Sequence, residues 1–317
     1  MAPTRSIRAV RAAGGSAVLA AVDEPPGSGE IISMRAAGIC ASDIVALANG
    51  TPWIIGHELS GVHADGTPVV IEALYGCGTC ESCRTGQYNL CRTALGRGLG
   101  FGADGGMAER FRAPRRHLVE LPEDLDVRDG FLAEPAAVSW HGVRIADAGP
   151  NTRVLVIGGG SVGLLAVAAA QAQDAAEVAL QARYRHQMEI GERLGATEPK
   201  GRYEIVIDAA GSSSALLDGA QWLAPCGIIS VLGVHYHHLE VPSTLLMIKE
   251  ARLVASMGYC THPNGRDMRQ AAEMLAARPE IAEVLVTHRF PLADVTEAFR
   301  VAADRKSGAI KVALELG

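Results

Sequence analysis

Four cysteines, Cys77, Cys80, Cys83 and Cys91, fall in the stretch GCGTCESCRTGQYNLC at a spacing of C-x2-C-x2-C-x7-C. Thiolates are soft ligands, and four of them close a tetrahedral shell around Zn²⁺ at about 2.3 Å each. Two-residue gaps let successive sulfurs converge on one ion, and Gly76, Gly78 and Gly86 let the backbone turn tightly around it. A closed shell leaves no position for substrate, so this zinc is expected to be structural. The competing chemistry is disulfide formation. Two bridges within fifteen residues would be cramped, and nothing else in the chain points to an oxidising compartment.

A second set of residues offers different chemistry. Cys40 lies in GICASD, His57 and Glu58 in GHE, and Glu134 in AEPAAV. One Cys, one His and one or two carboxylates make a mixed N/O/S set. Such sets hold catalytic zinc and leave a position for water or substrate. On their own, residues this scattered carry little weight, since a lone Cys is more often a small buried hydrophobe.

The third feature is a strand, VLVI, that runs into Gly158-Gly159-Gly160-Ser161-Val162-Gly163 and on into an alanine-rich helix through Gln173. Strand, Gly-x-Gly-x-x-Gly and helix together are the context that a dinucleotide fingerprint requires. Gly158 permits the turn, Gly160 lets backbone approach a pyrophosphate, and Gly163 lets helix and strand pack closely. Ser161 and Val162 open the helix, whose free N–H groups face the phosphates.

In this order, the three blocks resemble the zinc-dependent medium-chain dehydrogenase/reductase family of alcohol and polyol dehydrogenases. The resemblance covers nearly the whole chain, including the tail from Ala298-Phe299 to Ser307-Gly308-Ala309-Ile310-Lys311-Val312. It implies that Cys40 and His57 bind a catalytic zinc. Glu134 stands where the polyol-dehydrogenase branch has a glutamate near the metal. It also implies that Asp43 orients His57, that Ser42 passes the substrate proton, and that Glu58 can enter the coordination shell. Two zinc ions per chain are expected, one structural and one catalytic.

These residues need a scaffold. Up to about residue 130, VLAAV, GEIISMRAAGI, GVHADGTPVVIEAL and MAERFRAPRRHLVELP read as short strands broken by Gly, Pro and Asp. From about Glu134 the pattern changes. VLVIGG, AEVALQA, YEIVIDAAG, GIISVLG and RLVASMG each have the length of a buried parallel strand, with helical stretches between them. The expected fold is α/β. A GroES-like, β-rich catalytic domain spans residues 1–133 and 259–317, and a doubly wound Rossmann domain spans 134–258. The chemistry is expected in the cleft between them. Only six residues separate Ala196 from Tyr203, too few for the third strand and its helix. That strand lies at the edge of the 3-2-1-4-5-6 order, so its loss leaves the ladder intact.

Cofactor choice is argued at the end of the second strand, where NAD enzymes place an acid for the ribose hydroxyls. Here that position falls on Ala182, followed by Arg183 and Arg185. A guanidinium can pair with a 2′-phosphate. NADP(H) is therefore expected over NAD(H). Two further departures from the family bear on function. Val45 stands where a histidine commonly relays the proton, and only sixteen residues separate Cys40 from His57, which suggests a more open substrate pocket.

Composition sets bounds. The chain has 317 residues, is 48% hydrophobic and has no charge-free run of membrane-spanning length. Arg8 and Arg11 interrupt the apolar stretch near the start, so no secretory leader is expected. Seven cysteines, five of them assigned to metal, suit the cytoplasm. Cys226 and Cys260 are expected to be packing residues. A formal net charge of −6 and an aromatic content of 4% argue against a nucleic-acid partner. The tract His235-Tyr236-His237-His238 could bind metal, but is expected to line or cover the nicotinamide end of the cleft or to be solvated. Arg289 and Lys306 are read as surface residues. The sequence thus points to a zinc-dependent NADP(H) oxidoreductase acting on a small-molecule alcohol or carbonyl, as a homo-oligomer. The alternatives are a reductase of a conjugated C=C or iminium bond, and a non-catalytic NADPH-binding sensor.

Overall fold

Alternation in the early strands produces sheets with one wet face. Ser6–Ala13 and Ser16–Asp23 pair antiparallel across a Gly14-Gly15 turn, with Ile7, Ala9 and Val10 buried. The computed structural model describes residues 5–25, 29–235 and 238–317. It divides into two compact units, Met1–Glu134 with Cys260–Gly317, and Pro135–Tyr259.

The first unit is built on a seven-stranded sheet. Its order is Val286–Pro291, Lys311–Glu315, Glu30–Gly38, Glu58–His63, Pro68–Ile71 and Leu118–Glu120, with Arg110–Ala113 also paired to Glu30–Gly38. All neighbours run antiparallel except Val286–Pro291 and Lys311–Glu315. Ile32, Met34, Leu59, Ile71, Met107 and Leu314 form the centre of its core.

Register explains why distant residues meet. Gly38 pairs with Glu58, so Cys40, just past one strand end, comes near His57, just before the next strand begins. The same Gly38 pairs with Ala313 on its other side, which brings Lys311 to this corner. An added Cβ on Gly38 would lie 1.9 Å from Oε2 of Glu58, so the corner tolerates no side chain there.

The second unit is a parallel sheet in the order Arg252–Ala255, Leu223–Val231, Tyr203–Asp208, Arg153–Ile157 and Glu177–Gln181. Its central strands are continuous apolar runs because helices cover both faces. Leu155, Val206, Leu216 and Ile229 are fully buried. The expected doubly wound sheet without its third strand is borne out. Among the described residues, that edge carries Thr197 in an isolated parallel bridge with Ala179. The reading of Cys226 as a packing residue needs correcting. It is exposed, with a φ of +60°, in the stretch where its strand shifts register against Tyr203–Asp208, whereas Cys260 is buried.

Candidate active site

Cys40 directly precedes the helix Ala41–Ala48, and its N–H donates to Oδ2 of Asp43 at 2.9 Å. That bond satisfies one of the helix's free N-terminal donors. It also fixes the carboxylate, whose other oxygen stands 3.1 Å from Nδ1 of His57. The approach is at ion-pair distance. Burial opposes charge on His57, yet the Asp43 carboxylate prevails and holds its pKa well above the ordinary 6.5. The opposite ring nitrogen, Nε2, lies 3.3 Å from Oγ of Ser42. The Phe101 ring meets the imidazole edge-on at 5.7 Å.

Ligand atoms of Cys40, His57 and Glu58 lie within 4.8 Å of one another. Sulfur, imidazole and carboxylate suit zinc. A carboxylate behind the ligand histidine is the usual device for fixing its tautomer. Glu58 is already engaged. Lys311 Nζ donates to both its oxygens, at 2.7 and 2.8 Å, and to the carbonyl of Ile39 at 3.2 Å. Glu134 is buried in the first turn of the helix Ala133–Arg144 and is not one of the three. The position of Lys311 beside Glu58 was missed in the sequence. Its signal was a lone charge inside the apolar run AIKVAL.

The four cysteines of the loop also converge, all within 4.8 Å, with no disulfide. Sγ of Cys77 and Cys83 are 3.9 Å apart, close to the edge of about 3.8 Å for a tetrahedron with 2.3 Å Zn–S bonds. Donors surround the sulfurs. The Thr79 hydroxyl, then the N–H groups of Thr79 and Cys80, hold Cys77 down at about 5. Thr93 helps bring Cys91 to about 7. Cys83 moves the other way, pushed up to about 11 by burial. Four sulfurs this close, with Cys77 and Cys91 inclined to the thiolate, suit a cation among them.

In the second unit, the strand Arg153–Ile157 feeds through the glycines into the helix Ser161–Ala172. A Cβ on Gly163 would sit 1.8 Å from the Gly158 carbonyl, so helix and strand meet only because none is there. In front of Gly160 there is open space. No side chain caps this helix, so its N–H groups stay available to an anion. Ala182 follows the strand Glu177–Gln181. Arg183 is exposed, its guanidinium 5.7 Å from the Tyr184 ring centre. Arg185 is 92% exposed and paired with Glu189. Nε2 of His235 meets Asp208 at 3.2 Å, whereas Tyr236 and His237 lie outside the described residues. Arg289 pairs with Asp129 and donates to the carbonyl of Arg128.

Comparison with known proteins decides the family. The alcohol dehydrogenase GroES-like domain matches residues 28–123, and the glucose dehydrogenase C-terminus matches residues 127–316. The chain belongs to the zinc-dependent medium-chain dehydrogenases. This dehydrogenase is 28% identical to L-idonate 5-dehydrogenase of Vitis vinifera, over 90% of its own length and 87% of the relative's. It is 27% identical to sorbitol dehydrogenase of Arabidopsis thaliana, over 90% and 88%. A crystal structure assigned as a zinc-binding dehydrogenase of Sinorhizobium meliloti 1021, bound to NADP, matches at 25% identity and a TM-score of 0.85, covering 98% and 99% of the two chains. The alcohol dehydrogenase TADH of Thermus sp. ATN1 matches at 25% and 0.83, covering 97% and 99%. The dehydrogenase is thus an alcohol oxidoreductase, and the non-catalytic reading falls. No helix among the described residues is long and apolar enough to cross a membrane.

Proposed function

We propose that this dehydrogenase is zinc-dependent and NADP(H)-linked, and that it transfers hydride between nicotinamide C4 and the carbinol carbon of a polyol-like alcohol. The observation that carries the reading is the convergence of Cys40 and His57, with Asp43 locked behind the imidazole. Zinc held by Cys40 and His57, with Glu134 as its carboxylate partner, supplies a Lewis acid that acidifies the alcohol or polarises the carbonyl. Asp43 keeps Nε2 of His57 aimed at the metal position. Ser42, beside that nitrogen, takes the substrate proton. Val45 carries no proton onward, so it leaves through the cofactor ribose or straight to solvent. Lys311 occupies both oxygens of Glu58, so that carboxylate can enter the shell only when the pair opens. The cysteine loop holds the second zinc as a structural clamp.

NADP(H) is supported by Ala182, which offers the ribose no acceptor, and by the exposed guanidinium of Arg183 nearby. Polyols are supported by the relatives and by the short segment between Cys40 and His57. Exposed Met247, Ile248 and Leu253, beside the edge strand Arg252–Ala255, support a homo-oligomer. Seven free thiols suit a cytoplasmic setting. The missing relay at Val45 favours one second reading, a reductase of conjugated C=C or iminium bonds, which needs no alkoxide relay.

Absorbance of the reduced cofactor tests the main reading. Polyols with NADP⁺ are expected to react, with kcat/KM at least about tenfold above NAD⁺, and Arg183→Ala is expected to erase the difference. Equal use of both cofactors by the wild type overturns the NADP(H) assignment. Turnover of enals or iminium compounds without any alcohol oxidation moves the enzyme to the second reading.

A further inference from the structure

A cavity of about 540 Å³ opens beside the cysteine loop, with all its lining residues in the first unit. Neither Cys40 nor His57 lines it. The volume falls in the range of small-molecule sites, about 300–1,000 Å³. Three segments far apart in sequence build it, contributing Glu72, Arg84, Tyr88, Arg116, His117 and Arg266.

Charge is unevenly matched here. Glu72, the lone acidic residue of the lining, is fully buried. Arg266 meets both its oxygens, from Nε at 2.8 Å and Nη2 at 2.7 Å. The Tyr88 hydroxyl donates to it at 2.5 Å, and Nδ1 of His117 approaches at 3.2 Å. Burial works against the Glu72 charge, but His117 and Arg266 hold its carboxyl below the ordinary range. Its charge is therefore matched by Arg266. Arg84 and Arg116 are left with no ion-pair partner among the described residues.

A second observation is independent of charge. Nε2 of His117 is buried and has no hydrogen-bond partner, although the side chain is only 5% exposed. Tyr75 stacks on the ring at 4.1 Å and fixes its plane. Buried polar atoms in native proteins nearly always have partners. An orphan nitrogen on a residue that lines a cavity therefore points to a group supplied by whatever fills it. With Nδ1–H turned to Glu72, Nε2 is an acceptor for a hydroxyl.

We propose that this cavity is a second ligand site, for a small hydroxylated molecule carrying a phosphate group. Arg84 and Arg116 take the phosphate charge, which guanidinium groups match in geometry as well as sign. A hydroxyl of the same molecule donates to Nε2 of His117.

Calorimetric titration of the full-length, zinc-loaded protein tests it, with glycerol 3-phosphate, inorganic phosphate, acetate and glycerol as probes. Glycerol 3-phosphate is expected to bind saturably, inorganic phosphate more weakly, and glycerol and acetate not measurably. Arg84→Ala and Arg116→Ala are each expected to weaken glycerol 3-phosphate by at least about fivefold. Arg305→Ala, at a residue that does not line the cavity, is expected to change nothing. Should Arg84→Ala disturb the adjacent metal loop, seen as lost zinc, Arg116→Ala decides alone. Absence of binding, equal binding by Arg116→Ala, or acetate binding as tightly as glycerol 3-phosphate overturns the proposal.

Discussion

Lys311 donates from Nζ to both oxygens of Glu58 in a corner closed to solvent. Burial penalises the ammonium, yet the Glu58 carboxylate prevails and raises the Lys311 pKa. Removing one partner of such a pair strands a buried charge, which costs about 3–5 kcal/mol. Lys311→Met is expected to lose that much stability in urea denaturation, and Lys311→Met combined with Glu58→Gln to recover most of it. Additive losses would show that the two groups do not depend on each other. A milder, pH-dependent pair lies at His63, whose ring meets Glu30 at 3.0 Å and Asp65 at 2.8 Å. Hydrogen bonding by Glu30, then Asp65, raises its pKa above 6.5. A raised histidine stabilises fully below its unfolded pKa, and the contribution fades as pH climbs through the folded value. His63→Gln is therefore expected to lower the melting temperature at about pH 5.5 and hardly at all at about pH 9. The reverse pH trend would contradict the pairing.

At the scale of elements, contiguity decides what can be read ahead of the structure. The cysteine loop and the glycine loop each spell their chemistry within about fifteen residues, and both adopt the local geometry their spacing implies. The Lys311–Glu58 contact joins residues 253 apart, through register with Gly38 on an intervening strand. No local pattern reports that. The cavity around Glu72 was illegible for the same reason, since three separate segments build it. Cys226 misled because the positive φ that takes it out of the regular ladder is uncommon for a non-glycine residue and leaves no mark in the sequence. Gly163→Val drives a side chain into the Gly158 carbonyl, so NADPH binding, followed by its fluorescence, is expected to weaken by at least about tenfold with zinc content unchanged. Undiminished binding would mean that the loop is not the cofactor site. Cys83→Ser is expected to remove one zinc and lower the melting temperature markedly, because structural metal binding is coupled to folding. An unchanged melting temperature would deny the loop its structural role.

For the whole molecule, division of labour follows from composition along the chain. The first unit has alternating strands whose ends gather sulfur, imidazole and carboxylate. The second has continuous apolar strands and a glycine turn open to an anion. Fold class was readable because hydrophobic period changes where the architecture changes, near Glu134. Substrate identity was not, because a pocket wall is shaped by packing and not by any motif. The reading stands or falls on the metal centre at Cys40 and His57. Zinc content and NADP⁺-dependent polyol oxidation should be measured on the same samples of wild type and His57→Ala. The prediction is two zinc ions per wild-type chain, one in the variant, and turnover reduced by at least about 10²-fold with the melting temperature little changed. A variant that keeps both zinc ions, or loses one and still oxidises polyols at the wild-type rate, would contradict it.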